Sequence, residues 1–301
     1  MLAIKTLVNN HNNLTVYRHT AMLMGNNFEI SIVGSNPAWA AEHIESAIRE
    51  INRVEKLLST FGDDSNINLI NRNAGVEPVK VNAEIFRLVQ RAVEISELTY
   101  GAFDITYSTS DKPARPVNYK SIVLDAAKQT VFLTQQGMRI SFAATSKGYA
   151  ADKAKVMLQM QGVSGGVINA GGDLLTWGLQ PDNEPWTIGT ADPEQEGRPY
   201  ADIEISNMAV ATSVNTDKYA VIDSKRIPGA IDPKNGFEVS AIKSVSIISP
   251  TAELSDAMAT PVLSIGINAG MYLINQLNQL ACIIIDDHNR VYTSKGVSVS
   301  K

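Results

Sequence analysis

The sequence predicts an α+β protein in which helices pack against mixed sheets. Residues 28–34 alternate apolar and polar side chains as a half-buried strand does, residues 37–58 carry apolar side chains at helical spacing, and short apolar runs of strand length recur later. A chain of 301 residues with 44% hydrophobic content can bury a large core. We therefore expect a single domain over residues 1–301, or two intimately packed lobes.

The elements follow one another in mixed order. A short helix or turn after the first helix ends near Gly75, and the Gly171-Gly172 pair is expected to bend the backbone sharply behind a short buried strand. The predicted helices cover residues 37–58, 65–71, 83–98, 148–160, 255–265 and 269–277. The predicted strands cover residues 28–34, 122–125, 130–133, 138–142, 167–169, 186–189, 203–205, 208–212, 244–248 and 282–285.

Charge and cysteine content exclude several functional classes. The formal net charge is −5 and no Lys/Arg cluster is present, so we expect no nucleic-acid partner. Cys282 is the only cysteine, which excludes an internal disulfide or a thiolate metal cluster and favours a buried apolar role for this side chain. We expect no membrane span, and the first residues lack the apolar stretch of a secretory signal, so the chain as written carries no export address.

A candidate cation site lies near the C-terminal end of the chain. Asp256 and Thr260 are four residues apart at the start of an apolar run. If that run is a helix, the carboxylate and the hydroxyl point from the same face. Oxygen ligands of this kind suit a hard cation such as Mg²⁺.

Two upstream segments rich in small residues strengthen this interpretation. Residues 143–149 include Lys147, and residues 165–173 include Asn169, a Gly-Gly pair and Asp173. Small residues let the backbone approach a ligand closely, and a lysine can balance the charge of a phosphate. The three segments together suggest a site for a phosphorylated ligand.

The order of these motifs resembles that of the ApbE-type FAD:protein FMN transferase family. The resemblance extends over nearly the whole chain and depends on eight motifs in the right order rather than on any one of them. The motifs are Met24-Gly25, Leu58-Ser59-Thr60-Phe61, Gly101-Ala102-Phe103-Asp104, Lys147-Gly148-Tyr149-Ala150-Ala151-Asp152, Asn169-Ala170-Gly171-Gly172-Asp173, Ala211-Thr212-Ser213, Ile231-Asp232-Pro233-Lys234-Asn235-Gly236 and Asp256-Ala257-Met258-Ala259-Thr260. The resemblance implies an ApbE-like, T-fold-related architecture.

The same resemblance implies an activity and a set of site residues. Members of the family move FMN from FAD onto a threonine of a target flavoprotein and release AMP. By resemblance, Mg²⁺ is bound by the Ala144 carbonyl and by the side chains of Asp256 and Thr260, and Asp256 and Lys147 are catalytic. The residues implied to line the FAD site are Met24, Thr60, Phe61, Ala102, Phe103, Asp104, Ser141, Lys147, Asn169, Asp173 and Gly229.

The chain departs from the family pattern at three places. Gly229 stands where the family usually has a histidine, Val214 replaces a glycine, and Ser141 stands where many members carry an aspartate. Loss of a general base typically costs about 10²–10⁴-fold in rate and leaves binding largely intact. Three functions therefore stay open: a flavin transferase, a flavin-binding relative without transfer activity, and an enzyme that splits FAD into FMN and AMP with water.

Each site residue also has a purely structural alternative. Asp256 could cap a helix N-terminus, Asp104 could cap a following turn, and Lys147 could be a solvated lysine near a helix start. Phe103 is expected in the core or in a pocket wall. Members of the family are often exported or lipid-anchored, which contrasts with the missing leader in this chain.

Overall fold

The structure is a computed structural model. It describes residues 5–9, 14–60, 62, 65–109, 116–191, 199–214, 219–222, 225–228 and 242–295. The helices are α1 (Pro37–Leu58), α2 (Asn66–Arg72), α3 (Ala83–Leu98), α4 (Ser146–Met160), α5 (Ala252–Ile265) and α6 (Ile267–Gln276). The strands are β1 (Lys5–Asn9), β2 (Thr15–Leu23), β3 (Asn26–Gly34), β4 (Val79–Lys80), β5 (Thr106–Ser108), β6 (Ile122–Asp125), β7 (Thr130–Leu133), β8 (Met138–Ile140), β9 (Gly166–Ala170), β10 (Asp173–Trp177), β11 (Trp186–Ala191), β12 (Pro199–Ile205), β13 (Ala209–Val214), β14 (Tyr219–Ile222), β15 (Lys225–Pro228), β16 (Ile242–Ser249), β17 (Ala281–Asp286) and β18 (Val291–Thr293).

Nine of the described strands form one antiparallel sheet in the order β1-β2-β3-β9-β10-β13-β16-β17-β18. Helix α5 packs on β13 and β16, and α4 packs between α1 and α5. A smaller three-stranded sheet, β4-β7-β6, lies against α3. This mixture of sheets and packed helices confirms the predicted α+β class. None of the described helices has the length and apolar character needed to cross a bilayer.

Helix α1 shows how the local sequence produces the predicted element. The Asn36 side chain accepts a hydrogen bond from the Trp39 amide at 2.9 Å, and a proline follows at the first helical position. Apolar residues at helical spacing then form one fully buried stripe that includes Ile44 and Ile51. The bounds of this helix and of α3 agree with the prediction, because both have a polar cap and a regular apolar stripe.

The strand β2 is absent from the sequence-based prediction. It pairs with β3 residue by residue through a two-residue hairpin turn formed by Met24 and Gly25, whose φ angles are 50° and 70°. Positive φ at both central residues is typical of a type I′ turn, which matches the twist of the two strands. The usual sequence signal for this turn is Asn-Gly or Asp-Gly, so Met-Gly gave no hairpin signal.

Candidate functional site

Helix α5 places Asp256 and Thr260 one turn apart on the same face. The helix begins at Ala252, and Thr251 is its N-cap because its side chain accepts a hydrogen bond from the Leu254 amide at 3.4 Å. Asp256 therefore lies in the second turn, and the alternative in which Asp256 caps the helix is wrong. The predicted shared face of the carboxylate and the hydroxyl is confirmed.

The first turn of α4 lies directly against the first turn of α5. A Cβ atom on Gly148 would overlap the carbonyl group of Ala252, so only glycine fits at this point without a shift of backbone. The backbone amide of Gly148 faces the Asp256 carboxyl and lowers its pKa. The close contact between the two helices brings the Asp256 side chain over the N-terminus of α4.

Lys147 and Asp173 connect α4 to the Gly-rich turn. The Lys147 Nζ donates to Asp173 Oδ2 at 3.0 Å, and the Thr212 amide donates to Asp173 Oδ1 at 3.3 Å. Asp173 is close enough to Asp256 for the charge of Asp173 to raise the pKa of the Asp256 carboxyl. Lys147 is thus a half-buried, paired lysine, and the alternative of a solvated lysine is wrong.

Asn169 stabilises the turn that precedes Asp173. Its Oδ1 accepts a hydrogen bond from the Gly172 amide at 2.8 Å, and Gly171 and Gly172 have φ angles of +71° and +108°. L-residues with side chains rarely adopt these angles, so the glycine pair is required here. The predicted sharp bend behind β9 is confirmed.

The hairpin turn of Met24 lies beside the same Gly-rich turn. The Asn26 Nδ2 donates to the Met24 carbonyl at 2.9 Å, and a Cβ on Gly171 would lie 3.1 Å from Asn26 Oδ1. The Gly171 amide also donates to the Asn27 carbonyl at 3.1 Å. The structure therefore brings Met24 close to the segment that contains Asn169 and Asp173, although nearly 150 residues separate them along the chain.

Asp256 is the most perturbed acid among the site residues. Burial, and then the charge of Asp173, raise the pKa of Asp256 from 3.8 to about 7, although Lys147 and the Gly148 amide lower it. Its Oδ2 atom is buried and has no hydrogen-bond partner among the residues that the structure describes. A buried carboxylate oxygen without a partner is costly unless a cation or a proton satisfies it.

The other two implied metal ligands have oxygen atoms of the right kind. In the described part of the chain, no hydrogen bond to the Ala144 carbonyl is found, and this residue lies just before the N-cap of α4. The Thr260 hydroxyl makes one hydrogen bond, at 3.1 Å, to the Ser213 hydroxyl. No group of three or more His, Cys, Asp or Glu suited to a metal occurs within the described ranges. The donor set is therefore carboxylate, hydroxyl and carbonyl oxygen, which suits Mg²⁺ with several waters rather than a soft metal.

Ile105, the residue after Asp104, contacts the segment that carries Ser141. The Ser141 amide donates to the Ile105 carbonyl at 2.9 Å, and the Ser141 hydroxyl accepts from the Ala143 amide at 3.2 Å. Phe103 is buried, as expected for a core or wall residue. These contacts place residues 102–104 next to the loop that leads into α4.

Asp104 has a structural role of its own. Its Oδ1 accepts from the Thr106 amide at 2.9 Å, and its Oδ2 accepts from the Tyr119 amide at 2.8 Å. Both carboxylate oxygens therefore fix the loop that follows. This contact supports the alternative in which Asp104 caps a turn, and it leaves any role in FAD binding to be tested.

The remaining residues implied to line the FAD site are Thr60, Phe61, Ala102 and Gly229. Thr60 lies two residues past the end of α1, and Phe61 and Gly229 lie outside the described residues. Ala102 forms part of the wall of an open apolar groove of about 940 Å³, which is lined mainly by the end of α3 and by α6. Tyr272 on α6 is largely exposed in this groove.

Sequence-based reasoning assigned no role to Ser213, to Gly148 or to Asp152. All three occur in the motifs, but their partners are distant in sequence. Gly148 and Asp152 lie four residues apart and therefore on one face of α4. A glycine on the same helix face as a short polar side chain was a usable signal that another helix packs closely there. The partner of Ser213 is Thr260, which only the folded chain reveals.

The fold and this site define the family to which the chain belongs. The model of the ApbE family matches residues 24–284, so the chain is a member of the ApbE family. It is 27% identical to an FAD:protein FMN transferase from Klebsiella pneumoniae, covering 93% of this chain and 92% of that protein. An FAD:protein FMN transferase from Treponema pallidum is 26% identical, covering 93% of this chain and 87% of that protein. The crystal structure of the ApbE protein from Thermotoga maritima has the same fold, with a TM-score of 0.75, 24% identity, and coverage of 93% of this chain and 97% of that chain.

Proposed function

We propose that this chain is a Mg²⁺-dependent enzyme that transfers FMN from FAD to a threonine hydroxyl of a target protein and releases AMP. The observation that carries the proposal is the unpartnered, buried Oδ2 of Asp256 beside the Lys147–Asp173 ion pair. The names of the two curated relatives, both FAD:protein FMN transferases, support the same activity. We also infer that residues 1–301 act as one domain.

The donor set supports Mg²⁺ at Asp256, Thr260 and the Ala144 carbonyl. A cation there satisfies the Asp256 oxygen that has no partner, and it reverses the unfavourable burial of that carboxylate. When bound, Mg²⁺ stabilises the negative charge that builds up on the pyrophosphate oxygens during transfer.

The residues of the chain have separate tasks in this proposal. Lys147 lies at the start of α4 with its Nζ directed to Asp173, where it can offer a further N–H to a phosphate oxygen. Asp256 would be one of the residues that hold the cation, and its carboxylate would stay ionised while the cation is bound. Asn169 stabilises the Gly-rich turn by accepting a hydrogen bond from the Gly172 amide, and the glycines of this turn let the backbone approach the nucleotide.

The remaining family positions are proposed to line the FAD site. Met24 offers a thioether wall beside the Gly-rich turn, and Ser141, in the loop into α4, donates a hydrogen bond from its backbone amide to Ile105, three residues after Ala102. The proposed lining residues are Met24, Thr60, Phe61, Ala102, Phe103, Asp104, Ser141, Lys147, Asn169, Asp173 and Gly229.

The transfer balances without a further reactant. The threonine oxygen forms a bond to the FMN phosphorus of FAD, the bridging P–O bond to AMP breaks, and AMP leaves with the bridging oxygen. The hydroxyl proton is released to solvent or to a nearby base. Gly229 cannot accept it, because glycine has no side chain.

A direct test incubates the purified chain with FAD, MgCl₂ and threonine-containing peptides, with threonine-to-valine peptides as the matched control. AMP release together with covalent flavin on the threonine peptides alone supports the proposal. AMP release without labelled peptide indicates transfer to water, and FAD binding without AMP release indicates a carrier. A chain that neither binds FAD nor releases AMP contradicts all three functions.

A further inference from the structure

The first turn of α5 is held by a side chain from α4. Asp152 Oδ1 accepts a hydrogen bond from the Ala252 amide at 2.9 Å, and Oδ2 accepts from the Glu253 amide at 2.9 Å. These are the first two amides of α5, which have no partner within that helix. Asp152 on α4 therefore caps the N-terminus of α5 from a different helix, while Thr251, which directly precedes α5, caps the next amide, that of Leu254.

Gly148 and Asp152 form one contact surface on α4, which holds the first turn of α5. They lie one turn apart on the same face of α4, and Gly148 allows the Ala252 carbonyl to lie where a side chain would otherwise be. The two hydrogen bonds that the Asp152 carboxylate accepts restrict sliding and rotation of α5, since a slide would break both bonds together. The contact surface of Gly148 and Asp152 thus sets the axial register of α5 against α4.

Asp256 lies one turn beyond Ala252 on α5. Its position opposite the Gly148 amide, and near Lys147 and Asp173, follows from the register of the first turn. Metal affinity is sensitive to the second layer of contacts that orient the ligands. A shift of even a fraction of a helical turn would move the carboxylate away from the α4 N-terminus.

A second contact fixes the sideways position of α5 but not its register. The Arg91 guanidinium of α3 donates three hydrogen bonds to the Glu253 carboxylate, at 3.4, 3.0 and 2.8 Å, and lies 5.6 Å from the centre of the Tyr149 ring. Both Arg91 and Glu253 have long side chains that can follow a small slide of the helix. The short Asp152 side chain bonded to backbone amides cannot.

We propose that Asp152 is a positioning residue for the cation site, because it sets the register that places the Asp256 carboxylate at the N-terminus of α4. This inference rests on the proposed function, since it concerns the same Mg²⁺ site. It assigns Asp152 no contact with FAD, with Mg²⁺ or with the acceptor.

The test measures Mg²⁺ dissociation constants by calorimetry, with MgCl₂ alone as titrant. Asp152→Asn keeps the size of the side chain but presents an N–H₂ to one of the two amides, so we expect Mg²⁺ binding about 10- to 100-fold weaker than in the wild type. Thr251→Ala is the matched control. It removes a cap from the same helix terminus without touching the α4–α5 contact, so it lowers the melting temperature but leaves the Mg²⁺ dissociation constant unchanged.

The outcomes separate this inference from the proposed function. Wild-type and Asp152→Asn proteins that bind Mg²⁺ equally contradict the inference alone, as does a Thr251→Ala variant that weakens binding as much as Asp152→Asn. A wild-type chain that does not bind Mg²⁺ contradicts the proposed function and the inference with it. If Asp152→Asn does not fold, Asp152→Glu decides: it keeps two acceptor oxygens on a longer side chain and is expected to weaken Mg²⁺ binding at least 10-fold.

Discussion

The Lys147 Nζ lies 3.0 Å from Asp173 Oδ2, which joins the first turn of α4 to the start of β10. The two side chains are only 24% and 11% exposed, so solvent screens this ion pair less than a surface pair. Asp173 also accepts a hydrogen bond from the Thr212 amide, at the middle of β13. The pair therefore organises three elements around Asp256.

This ion pair predicts non-additive losses of activity. Lys147→Gln is expected to lower the rate of AMP release from FAD by about 10²–10³-fold, because it removes a positive charge near the reacting phosphates. Asp173→Asn is expected to lower the rate less, and the double variant is expected to lose less than the product of the two single losses. The measurement is AMP release under saturating FAD.

The exposed pair of Lys128 and Asp125 supplies the control. Its atoms lie 3.5 Å apart in the turn between β6 and β7, and Lys128 is largely exposed. Removing either residue is expected to leave AMP release unchanged. Fully multiplicative losses at Lys147 and Asp173 would show that the two residues act independently, contrary to the structure.

The contribution of Asp256 to the stability of the metal-free protein is expected to fall as pH rises from about 4 to about 7. The folded-state pKa of Asp256 is raised from 3.8 to about 7, so over this range the folded state binds a proton that the unfolded state has lost. The free energy that this proton contributes is complete below the unfolded pKa and is lost as pH passes the folded one. Urea unfolding in EDTA at several pH values measures this slope.

Asp256→Asn isolates the contribution of this one group. The variant has no titrating carboxyl at this position, so over the same interval its unfolding free energy should lack the fall with pH that Asp256 contributes in the wild type. Added Mg²⁺ should stabilise the wild type increasingly as pH rises, because the metal competes with the proton. Identical pH slopes for the two proteins would show that Asp256 is not perturbed.

Gly148→Ala is expected to destabilise the fold. The new methyl group would meet the backbone of Ala252 and Glu253, which cannot move as a flexible side chain can, so we expect a loss of at least about 1–3 kcal/mol in unfolding free energy. Urea denaturation measures the loss. Gly62→Ala is the control, because a Cβ there would lie 4.0 Å from the nearest atom, the Ser65 Cβ. Equal stabilities of the two variants would contradict the close contact of α4 and α5.

Cys282 is expected to resist thiol reagents in the folded protein. Burial raises the pKa of its thiol to about 11, and the side chain lies fully buried in β17 with its Sγ 3.5 Å from the Met271 sulfur. Modification by a chromogenic disulfide reagent should proceed only in denaturant. Rapid labelling of the native protein at neutral pH would contradict the buried position, which the sequence already predicted.

Elements with a strong local pattern could be predicted from the sequence alone. Helices α1 and α3 have a capping asparagine and a continuous apolar stripe, so both bounds agree with the prediction. The strand β10 is absent from the prediction because its sequence, Asp-Leu-Leu-Thr-Trp, does not alternate regularly between polar and apolar residues, and β2 is absent because its hairpin turn uses Met24. Pairing across a sheet depends on partners distant in sequence, which no local window contains.

The same distinction applies to the candidate site. The spacing of Asp256 and Thr260 identified a shared helix face, because both belong to one helix. The contacts from Asp152 to α5 and from Ser213 to Thr260 join residues that are 100 and 47 positions apart, and only the fold brings them together. The sequence also left open whether Asp104 acts as a turn cap, and its hydrogen bonds to two amides support that role.

The most direct test of the whole account is a calorimetric titration of the purified chain with MgCl₂, compared with Asp256→Asn and with Asp182→Asn. Asp182 is an exposed loop residue outside residues 143–149, 165–173 and 256–260, the segments of the candidate site. We predict one saturable Mg²⁺ site in the wild type and in Asp182→Asn, and none in Asp256→Asn, because the only carboxylate of the proposed ligand set is lost. Saturable binding by Asp256→Asn with unchanged affinity would contradict the account.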